Sequence, residues 1–277
     1  MSPYDEANYT ENRRLSFGEV ADQYQRARPS YPEEMIDRII EYAGCRPGDK
    51  VLDVGAGTGK ATVAFARRGF ELTAIEPSPA MAAVASTQAA TAGVNVRLLQ
   101  VEFEAADDQI PAGGFSLAIC GQAWHWIDPH RRYGLSRRAL RTGGALAVFW
   151  NQAVWSRAEA RADITAAYDR SGAVLQQPGP MYPGIRPHPP PLDLGDDWLA
   201  QIDKADGLAE AQAERFDWDQ EYTAQEYVDL LGTHSDHILL PDEQRQRLLA
   251  EVQETIERRG GRLTLPYSTL LCLARAV

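Results

Sequence analysis

Cysteine, positive charge and long apolar runs are all scarce in this chain, and each shortage removes a class of function. The cysteines are Cys45, Cys120 and Cys272, an odd number without metal-ligand spacing. They read as small buried hydrophobes in a reducing cytoplasm, not as a disulfide framework. Against 39 Asp and Glu stand only 28 Lys and Arg, a formal net charge of −11. That balance disfavours a nucleic-acid partner, because phosphate contacts draw on clustered basic side chains. No apolar run nears the roughly 20 residues that span a bilayer. The stretch Met1–Arg14 is polar and acidic, without a basic-then-apolar leader. His234 and His237 sit close together but lack the further ligands a metal centre needs. These shortages leave a cytoplasmic protein with no metal and no membrane or nucleic-acid partner, as a monomer or homodimer.

What is present is a strand–helix alternation. Val51–Val54, Glu71–Ile75, Asn95–Leu99, Phe115–Cys120 and Ala145–Trp150 are short apolar runs of the kind covered on both faces. Between them, Lys60–Arg68, Pro79–Ala90 and Pro129–Arg141 read as helices, the last two with Ser78 and Asp128 as N-caps before a proline. The alternation predicts an α/β fold with a doubly wound parallel sheet. Upstream, Ser30–Glu33 resembles a capping box opening a helix with Met35, Ile36, Ile39 and Ile40 on one face, ended near Gly44, and a polar helix is expected over roughly 17–28. Downstream, Gln176–Pro191 holds seven prolines (178, 180, 183, 187, 189, 190, 191) and is expected to form an insertion or lid after a helix near Arg157–Arg170. A strand at Ala213–Trp218, helices at Ala224–Leu231 and Asp242–Arg259, and a strand at Tyr267–Ala274 complete the chain. The expected divisions are 1–44, 45–155, 156–212 and 213–277.

The densest chemical signal is Val51-Leu-Asp-Val-Gly55-Ala-Gly57-Thr-Gly59-Lys60, a buried strand running into a glycine-rich turn that opens a helix. Such a turn brings free backbone N–H groups close to a ligand. The dinucleotide fingerprint needs a third glycine where Lys60 stands. Glu76, at the end of the next strand, is placed to accept both ribose hydroxyls of an adenosine.

Val51–Lys60 resembles motif I of the class I S-adenosylmethionine-dependent methyltransferases, and Ala74-Ile-Glu76-Pro-Ser-Pro resembles motif II. Val101–Glu104, Phe115–Asp128 with its Ala-Trp-His-Trp-Ile-Asp run, Leu140–Asn151 and Arg28-Pro-Ser-Tyr-Pro32 are similar to signatures of a small-molecule subgroup that includes trans-aconitate-methyltransferase-like proteins. The resemblance implies a Rossmann-like sheet of seven mostly parallel strands with an antiparallel last strand, N-terminal helices and a Pro-rich insertion. It also implies S-adenosyl-L-methionine as cofactor and an oxygen or nitrogen of a small-molecule metabolite as acceptor, in secondary metabolism. It places Asp53, Gly55, Ala56, Gly57 and Gly59 at the methionine portion, Glu76 on the ribose, Met81, Glu102 and Phe103 at adenine, and Gly121 and Gln122 beside the sulfonium. Arg28 is a candidate for the cofactor's carboxylate.

Each role has a plainer competitor. Asp53 can merely brace the turn, Met81 can be core, and Arg28 can be a solvated helix-end residue. His125 is the expected general base, with Trp124 and Trp126 as an aromatic wall; alternatively the tryptophans pack under the next helix. Tyr24, Tyr31 and Tyr182 are the other expected acceptor contacts. Carboxyl O-methylation of an acidic metabolite, nicotinamide-dependent oxidoreduction, and cofactor binding without methyl transfer are the competing functions.

Overall fold

The computed structural model describes residues 21–175, 179, 181–184 and 198–277. Its centre is one seven-stranded sheet in the order β3-β2-β1-β4-β5-β7-β6. The strands are β1 (Lys50–Val54), β2 (Glu71–Ile75), β3 (Val96–Leu99), β4 (Phe115–Gly121), β5 (Leu140–Ala153), β6 (Leu208–Thr223) and β7 (Arg262–Ala276). β1 to β5 are mutually parallel, and β7 runs antiparallel to both β5 and β6. The expected doubly wound sheet with an antiparallel last strand is therefore the observed one.

Helices α1 (Ala21–Ala27), α2 (Glu33–Ala43), α3 (Lys60–Ala66), α4 (Pro79–Thr91), α5 (Arg132–Ala139), α6 (Arg161–Ser171), α7 (Ala224–Leu231), α8 (Ser235–Ile238) and α9 (Asp242–Arg258) pack around it. Successive strand residues point to opposite faces, and the core divides accordingly. Val51, Leu117, Ile119, Ala147 and Phe149 meet Met35, Ile36 and Ile39 of α2 and Phe65 of α3 on one face. Leu52, Val54, Ala118, Cys120 and Val148 meet Trp124, Ala139 and Trp198 on the other. Full burial of such a side chain stabilises by about 1.5–3 kcal/mol. A third cluster joins α6, α7 and α9 above the ends of β5, β6 and β7, and forms a cap.

Several boundaries differ from the sequence expectation for local reasons. Ser78 caps α4 as expected, accepting from the Met81 N–H, and α2 ends at Gly44 in the left-handed conformation. The Ser30 capping box does not form: Pro32 is the N-cap, with no side-chain cap bond, and the Ser30 carbonyl instead accepts from Asn151. Asp128 caps a turn rather than a helix. Its carboxylate accepts from the His130 N–H, and α5 begins only at Arg132. β6 and β7 far exceed the lengths expected, because they pair with each other from Leu208↔Ala276 to Thr223↔Arg262. Of the proline-rich segment Gln176–Pro191, residues 176–178, 180 and 185–191 lie outside the described residues, so the expected lid does too. Among the described residues no helix is long and apolar enough to cross a membrane.

Candidate active site

The sheet order reverses at β1, which has β2 on one side and β4 on the other, so a crevice opens beyond the carboxyl ends of β1 and β4. Loops from both strands meet there. Gly55 has φ 68°, and a Cβ on it would stand 2.5 Å from the Ala123 Cβ. Its missing side chain thus serves the close approach of two loops. The Ala56 N–H donates to Ile75, and Gly59 is the N-cap of α3. Gly121 ends β4 against Tyr31 and Phe149, where a Cβ would lie 2.5 Å from the Tyr31 hydroxyl. Gln122 follows with φ 62°, a left-handed conformation costly for a residue with a side chain and concentrated at functional sites. Its N–H donates to Phe149 and its side-chain amide to Asn151.

Glu76 is buried. One carboxylate oxygen accepts from the Gly57 N–H and the other from the Ser78 N–H, each at 2.8 Å. It therefore ties the glycine turn to the start of α4. A carboxylate offers about four acceptor positions, so these two bonds leave capacity for hydroxyl donors. Asp53 is 1% exposed. Its Oδ2 accepts from the Thr62 hydroxyl at 2.5 Å, and its Oδ1 has no partner among the described residues. Burial pushes its pKa up to about 7, opposed by the Thr62 hydrogen bond and assisted by the charge of Glu76. An orphaned, buried carboxylate oxygen beside a glycine turn suits a cationic group such as an ammonium.

The remaining expected residues fall at varied places. Met81 is buried. Glu102 is exposed at the head of the short turn 103–105, and the Phe103 side chain is core, leaving its backbone to the crevice. Tyr31 stands edge-on to Phe149. Its pKa is raised well above the ordinary phenol value by burial, then by Tyr24 and Asp53. Arg28 lies over the Tyr24 ring at 4.8 Å and donates to the hydroxyl and carbonyl of Thr233. Tyr182 packs in the cap, edge-on to Tyr168.

Two expectations are corrected. Trp124 is fully buried, edge-on to Tyr133 and beneath Arg132; it is core and presents no wall to an acceptor, whereas Trp126 is partly exposed. His125 is not poised as a base. Burial, then the Arg132 charge, push its pKa down to about 4. The indole N–H of Trp150 donates to His125 Nδ1 at 3.4 Å, so in the neutral ring the proton resides on Nε2, and that nitrogen donates.

Sequence reasoning missed a latch over the turn. Gln25 of α1 accepts from the Thr58 hydroxyl at 2.6 Å through its side chain and from Lys60 Nζ at 2.7 Å through its carbonyl. Burial lowers the Lys60 pKa to about 8. Only the oddity of Lys60 at the first position of a helix, where a cation opposes the dipole, could have flagged it.

Fold and crevice together define a class I S-adenosylmethionine-dependent methyltransferase, and the comparisons agree. Residues 51–144 match the family model described as a methyltransferase domain. The chain is 29% identical over 263 residues to an uncharacterised methyltransferase of Mycobacterium tuberculosis, covering 92% of this chain and 93% of that protein. It is 36% identical over 110 residues to a ubiquinone biosynthesis O-methyltransferase of Pseudomonas fluorescens, covering 39% of this chain and 45% of that one. A putative type II methyltransferase from Anaeromyxobacter dehalogenans shares the fold, with TM-score 0.58 and 21% identity over 90% of this chain and 97% of that one. The chain is an S-adenosylmethionine-dependent methyltransferase, which removes the nicotinamide alternative.

Proposed function

We propose that the protein transfers the methyl group to an oxygen or nitrogen of a small metabolite bound between the β4 end and the cap. The observation that carries this reading is the juxtaposition, at the switch point, of the glycine turn, buried Glu76 and the strained Gly121–Gln122 corner. S-adenosylmethionine, when bound, supplies an electrophilic methyl group on a sulfonium. In this reading Glu76 holds the ribose, the Asp53 Oδ1 faces the methionine ammonium, and Met81, Glu102 and the Phe103 backbone flank adenine. Gly121 and Gln122 border the reacting centre.

The chain's part is then alignment and exclusion of water, which lower the barrier without strong acid or base. His125 in its neutral, Nε2-protonated form orients an acceptor by donating a hydrogen bond. The acceptor atom must accordingly arrive with a lone pair and no tightly held proton, as an ionised oxygen or a neutral amine. Glu76→Ala tests the reading. Loss of a charged acceptor costs about 1.5–3 kcal/mol, so the Kd for S-adenosylmethionine should rise roughly tenfold to hundredfold. An unchanged Kd by calorimetry would overturn the ribose assignment.

A further inference from the structure

We propose that Arg28, with His234 and the paired hydroxyls of Tyr222 and Tyr267, forms a subsite for a carboxylate carried by the methyl acceptor. The inference rests on the reading that a small acceptor binds beneath the cap, and deepens it by naming a chemical class.

Arg28 begins the argument because its charge is not balanced. Its Nε and Nη2 donate to the hydroxyl and carbonyl of Thr233 at 2.8 and 2.9 Å, and its face covers Tyr24. All of these partners are neutral. Among the described residues no carboxylate pairs with it, and Nη1 has no partner. A partly buried guanidinium has lost hydration that neutral acceptors replace only in part. Its planar fork matches a carboxylate in two-pronged fashion.

Independent features surround it. His234 is 7% exposed, and its Nε2 is buried without a partner among the described residues. The Tyr222 and Tyr267 hydroxyls lie 3.0 Å apart, and such a pair leaves one O–H free to donate outward. Burial is the main influence on the titration of Tyr31, Tyr222, Tyr267 and His234, and the Arg28 charge acts on all four. Arg28 thus sits between the cap hydroxyls and Tyr31, whose own hydroxyl abuts Gly121 at the end of β4.

A carboxylate has two sources here, the acceptor and the methionine part of the cofactor. The position favours the acceptor. The α1 residue that contacts the glycine turn is Gln25, through Thr58 and Lys60, whereas Arg28 is anchored to the cap. The Arg28 charge is also not among the influences on Asp53, the carboxylate nearest the turn.

The test uses the full chain saturated with S-adenosylhomocysteine. Benzoate and phenylacetate are titrated against their neutral amides, in wild type, R28Q and R28K. In wild type the acids should bind roughly tenfold to hundredfold more tightly than the amides, the scale of a charge-assisted bond. R28Q should erase that preference, R28K should keep part of it, and the Kd for S-adenosylhomocysteine should stay within about threefold. A parallel arm compares S-adenosylmethionine with its decarboxylated analogue. If R28Q abolishes discrimination between those two, Arg28 reads the cofactor and the proposal is overturned. Equal binding of acids and amides to wild type, or a preference that survives in R28Q, also overturns it. Failure of wild type to bind S-adenosylhomocysteine at all would instead sink the reading beneath it.

Discussion

His125 shows how far a residue's chemistry depends on what is packed against it. An isolated histidine titrates near 6.5, but burial and the Arg132 charge hold this one neutral to about pH 4, and Trp150 occupies the nitrogen that would accept a proton. The pH–rate profile should consequently show no limb near 6.5 belonging to His125. His125→Gln, which retains an N–H donor, should keep kcat within about tenfold, while His125→Phe should lose substantially more. A limb near neutrality that vanishes in His125→Gln, with kcat down by about 10²–10⁴, would restore the general-base role.

At the scale of elements, the cap is held to itself by a buried polar chain. The Gly179 N–H donates to Asp236 at 2.7 Å, Asp236 accepts from His237 Nδ1 at 2.8 Å, and Tyr168 lies 2.6 Å from His237 Nε2. With Nδ1 donating to the carboxylate, Nε2 accepts the Tyr168 proton, and α6 is joined to α8. His237→Ala would strand a buried hydroxyl and a buried carboxylate. Such losses cost roughly 2–5 kcal/mol, which denaturant unfolding would register; a loss below about 1 kcal/mol would show the chain to be incidental. The latch of α1 is a second element-level device. Lys60→Met removes its bond to the Gln25 carbonyl, and should speed dissociation of S-adenosylmethionine several-fold in stopped-flow measurements. An unaltered off-rate would mean that α1 does not gate the turn.

Asp53 carries a consequence for the whole molecule. Its folded-state pKa, about 7, is above the unfolded value of roughly 3.9, so the folded state binds the proton more tightly. This contribution to stability is fully present below the unfolded pKa and is lost as pH rises through 7. The apo protein should therefore lose stability between about pH 5 and pH 8, and Asp53→Asn should flatten that decline. Parallel melting curves for the two proteins across that range would refute the shifted carboxylate.

What the sequence by itself determined was local and periodic. Glu71–Ile75 and Ala224–Leu231 have the bounds their apolar patterns imply, Ser78 caps α4, Gly44 ends α2, and the glycine turn with Glu76 marked the crevice. Each depends on neighbours within a few residues, where backbone conformation and side-chain period are set. Tertiary structure alone decided the rest. The length of β6 follows from its pairing with β7, since a half-exposed edge strand has no continuous apolar run to announce it. Gly55 answers to Ala123, and Arg28 answers to Thr233, 205 residues away. His125 lost its basicity, and Asp53 gained its proton, through burial and through charges brought near in space. Desolvation and Coulomb interaction act through the folded volume and not along the chain, so only the assembled molecule could assign those roles.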